Sequence, residues 1–279
     1  MNDPRSDAAI SRDVAQDAGQ LLLRIRQDFI AEHGPIGDKE TANGDKETAN
    51  KLRDRADAAS NDLILDFLSS ARPQDAVLSE EAKDDPSRLD SERVWIVDPL
   101  DGTWEYGQIR ADFAVHVALW AAGELHACTV DLPAQGITRS VLDDTVETAV
   151  DPTRPIRIVA SRSRPPATLQ ATCDALGRLL SDAEITNRGV EVVDVGSVGA
   201  KVNEILSQRA DVYLHDTGFY EWDVAAPYGV AAHYGLHCSN TTGEPITFNH
   251  MPPYVNNLVV AHPVLYPHVI RALAETAER

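Results

Sequence analysis

An apolar run, Val94-Trp95-Ile96-Val97, passes without a linker into Asp98-Pro99-Leu100-Asp101-Gly102-Thr103. The run reads as a buried strand. Pro99 and Gly102 then force a turn, so that Asp98 and Asp101, three residues apart, converge on one point while the Leu100 carbonyl is turned outward. Two carboxylates and a backbone carbonyl form a hard-oxygen site suited to Mg2+, which keeps several waters and takes few protein ligands. Gly102 and Thr103 stand where a helix would open, with free amides to meet an anion. An Asp-rich turn without function is the plain alternative for so short a string.

Charge sharpens the point. Asp and Glu number 44 against 25 Lys and Arg, a formal charge of −19, which disfavours binding to a nucleic acid polymer or an anionic membrane. A chain so acidic can handle phosphate only if something reverses the local sign, and divalent cations held by carboxylates do that. No apolar stretch approaches the roughly 18 to 20 residues of a membrane helix, and the polar start MNDPRSDAAI lacks the pattern of a signal peptide. The chain therefore reads as cytoplasmic. Cys128, Cys173 and Cys238 form no CxxC pair and read as reduced, mostly buried thiols. None of the nine histidines falls in an HExxH spacing, and none is assigned a role.

Apolar spacings of three and four predict a helix from about Asp7 to Glu32. A tandem heptapeptide follows, GDKETAN at 37–43 and again at 44–50, read as a mobile loop lengthened by duplication. A second helix is expected from about Ala58 to Ser70, then a short strand in AVLSEE, the strand Val94 to Asp98, and antiparallel strands from Phe113 to about Val130. The stretch Asp143 to Pro155 is the best candidate boundary. Beyond it, strands at Ile156–Ala160, Val190–Val195, Ala210–His215, Leu236–Ser239 and Leu258–Ala261 alternate with helices at Ala167–Leu180, Val198–Gln208, Asp223–Tyr234 and from Tyr266. Such alternation implies an α/β layered unit. Tyr213, Phe219, Tyr220 and Tyr228 are read as core packing ahead of a cleft lining.

Two more acidic positions join the turn. Glu80 and Glu81 end an apparent strand, where adjacent side chains point to opposite sides and at most one faces a site. Asp223, in EWDVAAP, stands at the start of a helix, where an N-cap is its plainest role. Taken in order, Ser79-Glu80-Glu81, then WIVDPLDGT, then WDVAA resemble the inositol monophosphatase superfamily of lithium-sensitive, magnesium-dependent phosphatases, over about Asp57 to Asn249. DGTWEY, through Glu105 and Tyr106, is more similar to the 3'(2'),5'-bisphosphate nucleotidase (CysQ-type) branch than to inositol phosphatases, and ASRSR (160–164) and GSVGAK (196–201) resemble that branch too. Trp104 and Arg164 depart from it: the branch commonly has Lys or Arg at the first position and His at the second.

The resemblance implies an α+β/α/β fold, a layered α-β-α-β-α sandwich of the sugar-phosphatase type. Residues 1–150 would form an N-terminal half carrying most metal ligands, and residues 151–279 a C-terminal half contributing Asp223 and substrate contacts. Glu80, Asp98 and the Leu100 carbonyl would hold one Mg2+, and Asp98, Asp101 and Asp223 a second, with a third, weaker ion near Glu80 and Asp57. Asp57 is placed as the early acid of the family pattern, with Asp38 and Asp45 as alternatives. Thr103 and Glu80 would orient water and accept its proton, and the amides of Gly102 and Thr103 would hold the phosphate. Ser197, Lys201 and Arg162 are the remaining candidate substrate contacts. The implied substrate is a small phosphorylated metabolite, adenosine 3',5'-bisphosphate, with a role in sulfate assimilation; a homodimer is frequent in such families. Inositol-phosphate or sugar-phosphate hydrolysis is the nearest alternative, and a catalytically silent sensor of a phosphometabolite a more distant one.

Overall fold

Apolar residues three and four apart wind the N-terminal segment into α1 (Asp7–His33), which buries Ile10, Val14, Ala18, Leu22, Ile25 and Phe29. Ser6 caps its start by accepting the Ala9 amide at 3.2 Å, and Gly34, at φ +82°, follows its end. The computed structural model of the chain describes residues 3–34, 43–145, 149–162 and 164–277, with side chains from residue 46 in the second stretch.

The second helix, α2 (Asn43–Ala71), starts well before the expected Ala58. The second GDKETAN copy is therefore helical and not a loop; residues 37–42 of the first copy lie outside the described residues. Two features outweigh the polarity of the repeat. Lys51 pairs with Glu47 at 2.8 Å, one turn apart, and Ala49, Leu52 and Ala56 are buried, giving a strong helix-forming sequence an inner face.

Five strands follow in the order they pair: β1 (Ala76–Ser79), β2 (Arg93–Asp101), β3 (Ala114–Ala121), β4 (Glu124–Leu132) and β5 (Ile137–Ser140), with β1 parallel to β2 and the others antiparallel. The expected strand at Val94 runs on as β2 through the acidic turn to Asp101, with an irregular register between Asp98 and Asp101. A short helix, α3 (Thr103–Gly107), opens directly after it. Side chains alternate across the sheet. Trp95, Val97, Val115 and Val117 pack with the α1 and α2 residues, whereas Val94, Ile96, Ala114 and Ala118 join the core on the other face.

The rest of the described chain is β6 (Ile156–Ser161), α4 (Leu169–Asp182), β7 (Val190–Val195), α5 (Val198–Leu206), β8 (Val212–His215), β9 (Phe219–Tyr220), α6 (Glu221–His233), β10 (His237–Ser239), β11 (Tyr254–Val255), β12 (Leu258–Ala261) and α7 (Tyr266–Ala277). The second sheet runs β10-β12-β8-β6-β7, and β9 pairs with β11 in a small antiparallel ribbon. Ile158, Val212 and Leu214 pack with Leu176 and Leu180 of α4 and Val269 of α7. Val159, Tyr213 and Val260 instead meet residues of α5 and α6 in the core shared with the first sheet. The result is five layers, helix pair, sheet, helix pair, sheet, helix pair, and the acidic turn at the end of β2 faces the central helical layer. Cys128 and Cys173 are buried, Cys238 is half-buried, and all three are free thiols.

Candidate active site

Where β2 leaves the core, Asp98 is 1% exposed. Its Oδ1 accepts the Leu100 amide at 3.0 Å, while its Oδ2 is buried without a hydrogen-bond partner. Ser60 of α2 holds the turn by donating to the Pro99 carbonyl at 2.8 Å, and the Thr103 hydroxyl donates to the Leu100 carbonyl at 3.1 Å. Asp101 Oδ2 accepts the Gly199 amide at 3.1 Å and lies 3.3 Å from His116 Nε2. Asp223 stands in the first turn of α6 with Oδ2 accepting the Tyr220 amide at 2.7 Å. It is the third residue of the helix and not its N-cap, because Tyr220 in the β9 ribbon takes that place. Ligand oxygens of Asp98, Asp101 and Asp223 all lie within 4.8 Å of one another.

Glu80 comes just past β1 and not on it, and its amide donates to the Val97 carbonyl at 3.3 Å. Taken as a whole residue it is exposed, yet its carboxyl faces the cluster: desolvation, followed by the charges of Glu81 and Asp101, raises its pKa to about 7. Burial, followed by the charges of Glu80, Asp101 and Asp223, lifts Asp98 well above the usual carboxylate range. Burial and the charges of Asp101 and Glu80 bring Asp223 to about 8. Asp57 on α2 is also raised to about 8, by burial and then by Glu81 and Glu80, so it stands within their field. Asp38 and the side chain of Asp45 lie outside the described residues. Like charges crowded in a low-dielectric turn resist ionisation unless a cation joins them. An all-oxygen donor set with a buried, unpartnered carboxylate oxygen fits a hard divalent ion.

Beside the acids lies a cavity of about 560 Å³, with Asp101, Asp223, Gly102, Thr103, Trp104, Ser197, Lys201, Arg162 and Arg164 among its lining. Ser197 caps α5 by accepting the Ala200 amide at 2.9 Å. Lys201 is 4% exposed, donates to the Gly196 and Ser197 carbonyls, and has its ammonium 5.5 Å from the Tyr213 ring centre. Burial lowers its pKa to about 8. Arg162 lines the cavity but is engaged on the protein, donating at 3.1 Å to both Glu105 Oε1 and Asp112 Oδ2. Tyr106 does not reach the cavity. It is buried against Phe113 and donates to the Leu22 carbonyl at 2.8 Å, so of the pair that distinguishes DGTWEY only Glu105 faces the site. Tyr213 and Phe219 are buried and also line the cavity, and Tyr213 leaves its hydroxyl unpartnered there; outside it Tyr220 stacks on Trp222, and Tyr228 meets Phe248 edge to face.

A supporting network had no motif to announce it. Glu221, fully buried two residues before Asp223, accepts the Asn249 and His250 amides at 2.7 and 2.8 Å. Arg88, in the loop after Glu80, donates to Asn249 Oδ1 at 2.5 Å and to the His250 carbonyl at 2.7 Å. The start of α6 is thereby tied to the segment that carries Glu80. Single residues whose partners lie 28 and 29 positions away, as for Glu221, or 161 and 162, as for Arg88, leave no periodic or spaced signal.

The inositol monophosphatase family model matches residues 3–278. A Mycobacterium leprae protein named 3'-phosphoadenosine 5'-phosphate phosphatase is 39% identical over 284 residues, covering 97% of this chain and 94% of its own. The Escherichia coli 3'(2'),5'-bisphosphate nucleotidase CysQ is 29% identical over 213 residues, 72% of this chain and 81% of its own. Among solved structures, inositol monophosphatase II from Staphylococcus aureus superposes with a TM-score of 0.71 at 19% identity, covering 96% of this chain and 95% of its own. That likeness bears on the fold alone.

Proposed function

The chain belongs to the inositol monophosphatase family and is a phosphatase; from that premise we propose that it is a Mg2+-dependent phosphomonoesterase that hydrolyses the 3'-phosphate of adenosine 3',5'-bisphosphate to AMP and phosphate. The observation that carries this reading is one cavity whose lining holds Asp101 and Asp223 together with Lys201, Arg162 and Arg164. The substrate is taken from the relative's name, since nearly the full length of both chains aligns.

Glu80, Asp98, Asp101, Asp223 and the Leu100 carbonyl would hold two magnesium ions, with a third near Asp57, whose charge offsets that of the phosphate and acidifies water. Glu80 accepts the proton of the attacking water, and Thr103, fixed to the Leu100 carbonyl, orients that water. The amides of Gly102 and Thr103, with Ser197 and Lys201, hold the phosphate oxygens. Arg162 reaches the substrate only by sharing the donors it now gives to Glu105 and Asp112. In this reading residues 1–150 supply most of the metal ligands and residues 151–279 supply Asp223 and the substrate contacts. Lithium inhibition, a cytoplasmic place in sulfate assimilation and a homodimer go with it. No helix among the described residues is long and apolar enough to cross a membrane.

Phosphate release from adenosine 3',5'-bisphosphate, inositol 1-phosphate and a sugar phosphate, with and without Mg2+, tests the reading. The nucleotide is expected to lead in kcat/KM by about 10-fold or more, with no turnover after chelation. Turnover of inositol 1-phosphate without turnover of the nucleotide would overturn the substrate, and full activity in chelator would overturn the metal.

A further inference from the structure

Asp112, in the loop between α3 and β3, belongs to none of the motifs and stands outside the cavity lining and the metal-binding group. Its carboxylate is nevertheless where three segments meet. Oδ1 accepts Arg110 Nε at 2.8 Å, and Oδ2 accepts the Gly196 amide at 2.9 Å, Arg162 Nη2 at 3.1 Å and Arg110 Nη2 at 3.3 Å. Its own carbonyl accepts the Ser197 amide at 3.2 Å. Gly196 and Ser197 lead into α5, which carries Lys201 one turn later, and Lys201 donates back to their carbonyls. Gly102 closes on the same point: a Cβ there would lie 3.1 Å from Ser197 Cβ and 3.2 Å from the Asp112 carbonyl.

We propose that Asp112 is a positioning residue for substrate binding, one carboxylate that sets Ser197, Lys201 and Arg162 against the Gly102 turn without itself touching substrate or metal. The inference rests on the phosphomonoesterase reading. Only an ionised carboxylate can serve this set, because it accepts from two guanidinium groups and an amide at once. An asparagine presents one accepting oxygen and turns N–H donors toward these donors, so the Gly196 amide, Arg162 and Arg110 compete for that oxygen, Arg162 falls back on Glu105 and a 3.5 Å contact to the Asp194 carbonyl, and the start of α5 is freed to shift. Misplacement of contact groups by about an ångström costs up to about 100-fold.

The test is steady-state kinetics of Asp112→Asn, Asp112→Glu and Arg110→Gln, with the Mg2+ concentration for half-activation and the melting temperature measured on each. Asp112→Asn is expected to raise KM about 10- to 100-fold with kcat within about threefold, and to leave half-activating Mg2+ unchanged. Asp112→Glu should recover part of the loss. Unchanged KM, or a loss of kcat accompanied by a higher Mg2+ requirement, would overturn the proposal. If Asp112→Asn does not fold, Arg110→Gln decides: it removes an exposed partner, should raise KM about threefold, and an unchanged KM counts against the proposal. The kinetics are run on whichever phosphomonoester the wild type turns over best, so a wrong substrate assignment and a wrong role for Asp112 give different results.

Discussion

Asp98→Asn is expected to abolish phosphatase activity, by about a thousandfold or more, while making the metal-free protein at pH 8 more stable than the wild type. Both effects come from one oxygen. Asp98 is buried, Oδ2 lacks a partner, and oxygens of Asp101 and Asp223 stand within 4.8 Å of the same cluster. Without a cation an ionised carboxylate there is desolvated and repelled. The asparagine keeps the Oδ1 that accepts the Leu100 amide and turns an amide donor toward the neighbouring acids, so the unfavourable charge becomes a favourable contact. For a chain of this size each kcal/mol recovered moves the melting temperature by about 2–4 °C. Thermal melting in chelator and phosphate release in Mg2+ read the two effects separately. A variant that melts below the wild type at pH 8 in chelator would show that Asp98 is already satisfied without metal.

The second large effect is a stability that depends on pH and Mg2+ together. Glu80 at about 7, Asp223 and Asp57 at about 8 and Asp98 well above the normal range are all raised over their unfolded values. Between about pH 4 and pH 8 the folded state therefore holds more protons than the unfolded chain. Stability from these groups is fully present below the unfolded pKa values and is lost as pH rises through the folded ones. Metal-free protein should melt lower at pH 8 than at pH 6. Magnesium binding must displace those protons, so it meets more competition at pH 6 than at pH 8. At about 100 times its dissociation constant the ion adds about 2.7 kcal/mol. A matrix of melting temperatures over pH and Mg2+ checks this: the increment should be larger at pH 8, and an equal increment at both values would contradict the proton displacement.

How much of this could be read beforehand depends on where the information sits. The acidic turn was legible because all its determinants lie between Val94 and Gly102: an apolar strand, Pro99, Gly102 and two aspartates. Val190–Val195 and Leu258–Ala261 were legible as strands at their actual limits, since short valine-rich segments carry their own signal. The N-terminal part of α2 was not, because the duplicated heptapeptide was weighed as a polar repeat while its helix depends on burying Ala49 and Leu52. The β9 and β11 ribbon, two residues a side, exists only through long-range pairing. At the site, the residue types were legible but their partners were not. Arg162 was expected on substrate and is held by Glu105 and Asp112; Lys201 was expected there too, and nothing near it in sequence announced that it is buried and donates to the Gly196 and Ser197 carbonyls. Asp112 carried no signal, since its ties to Arg162 and Gly196 span 50 and 84 residues.

A crystal soaked in Mn2+, whose anomalous scattering marks the ion as a stand-in for Mg2+, puts the convergence of Asp98, Asp101 and Asp223 to direct trial. Anomalous peaks are expected against the free Oδ2 of Asp98, shared with Asp101 and Asp223 and with Glu80 and the Leu100 carbonyl alongside. Peaks elsewhere on this acidic surface, with those carboxylates turned apart, would contradict the account.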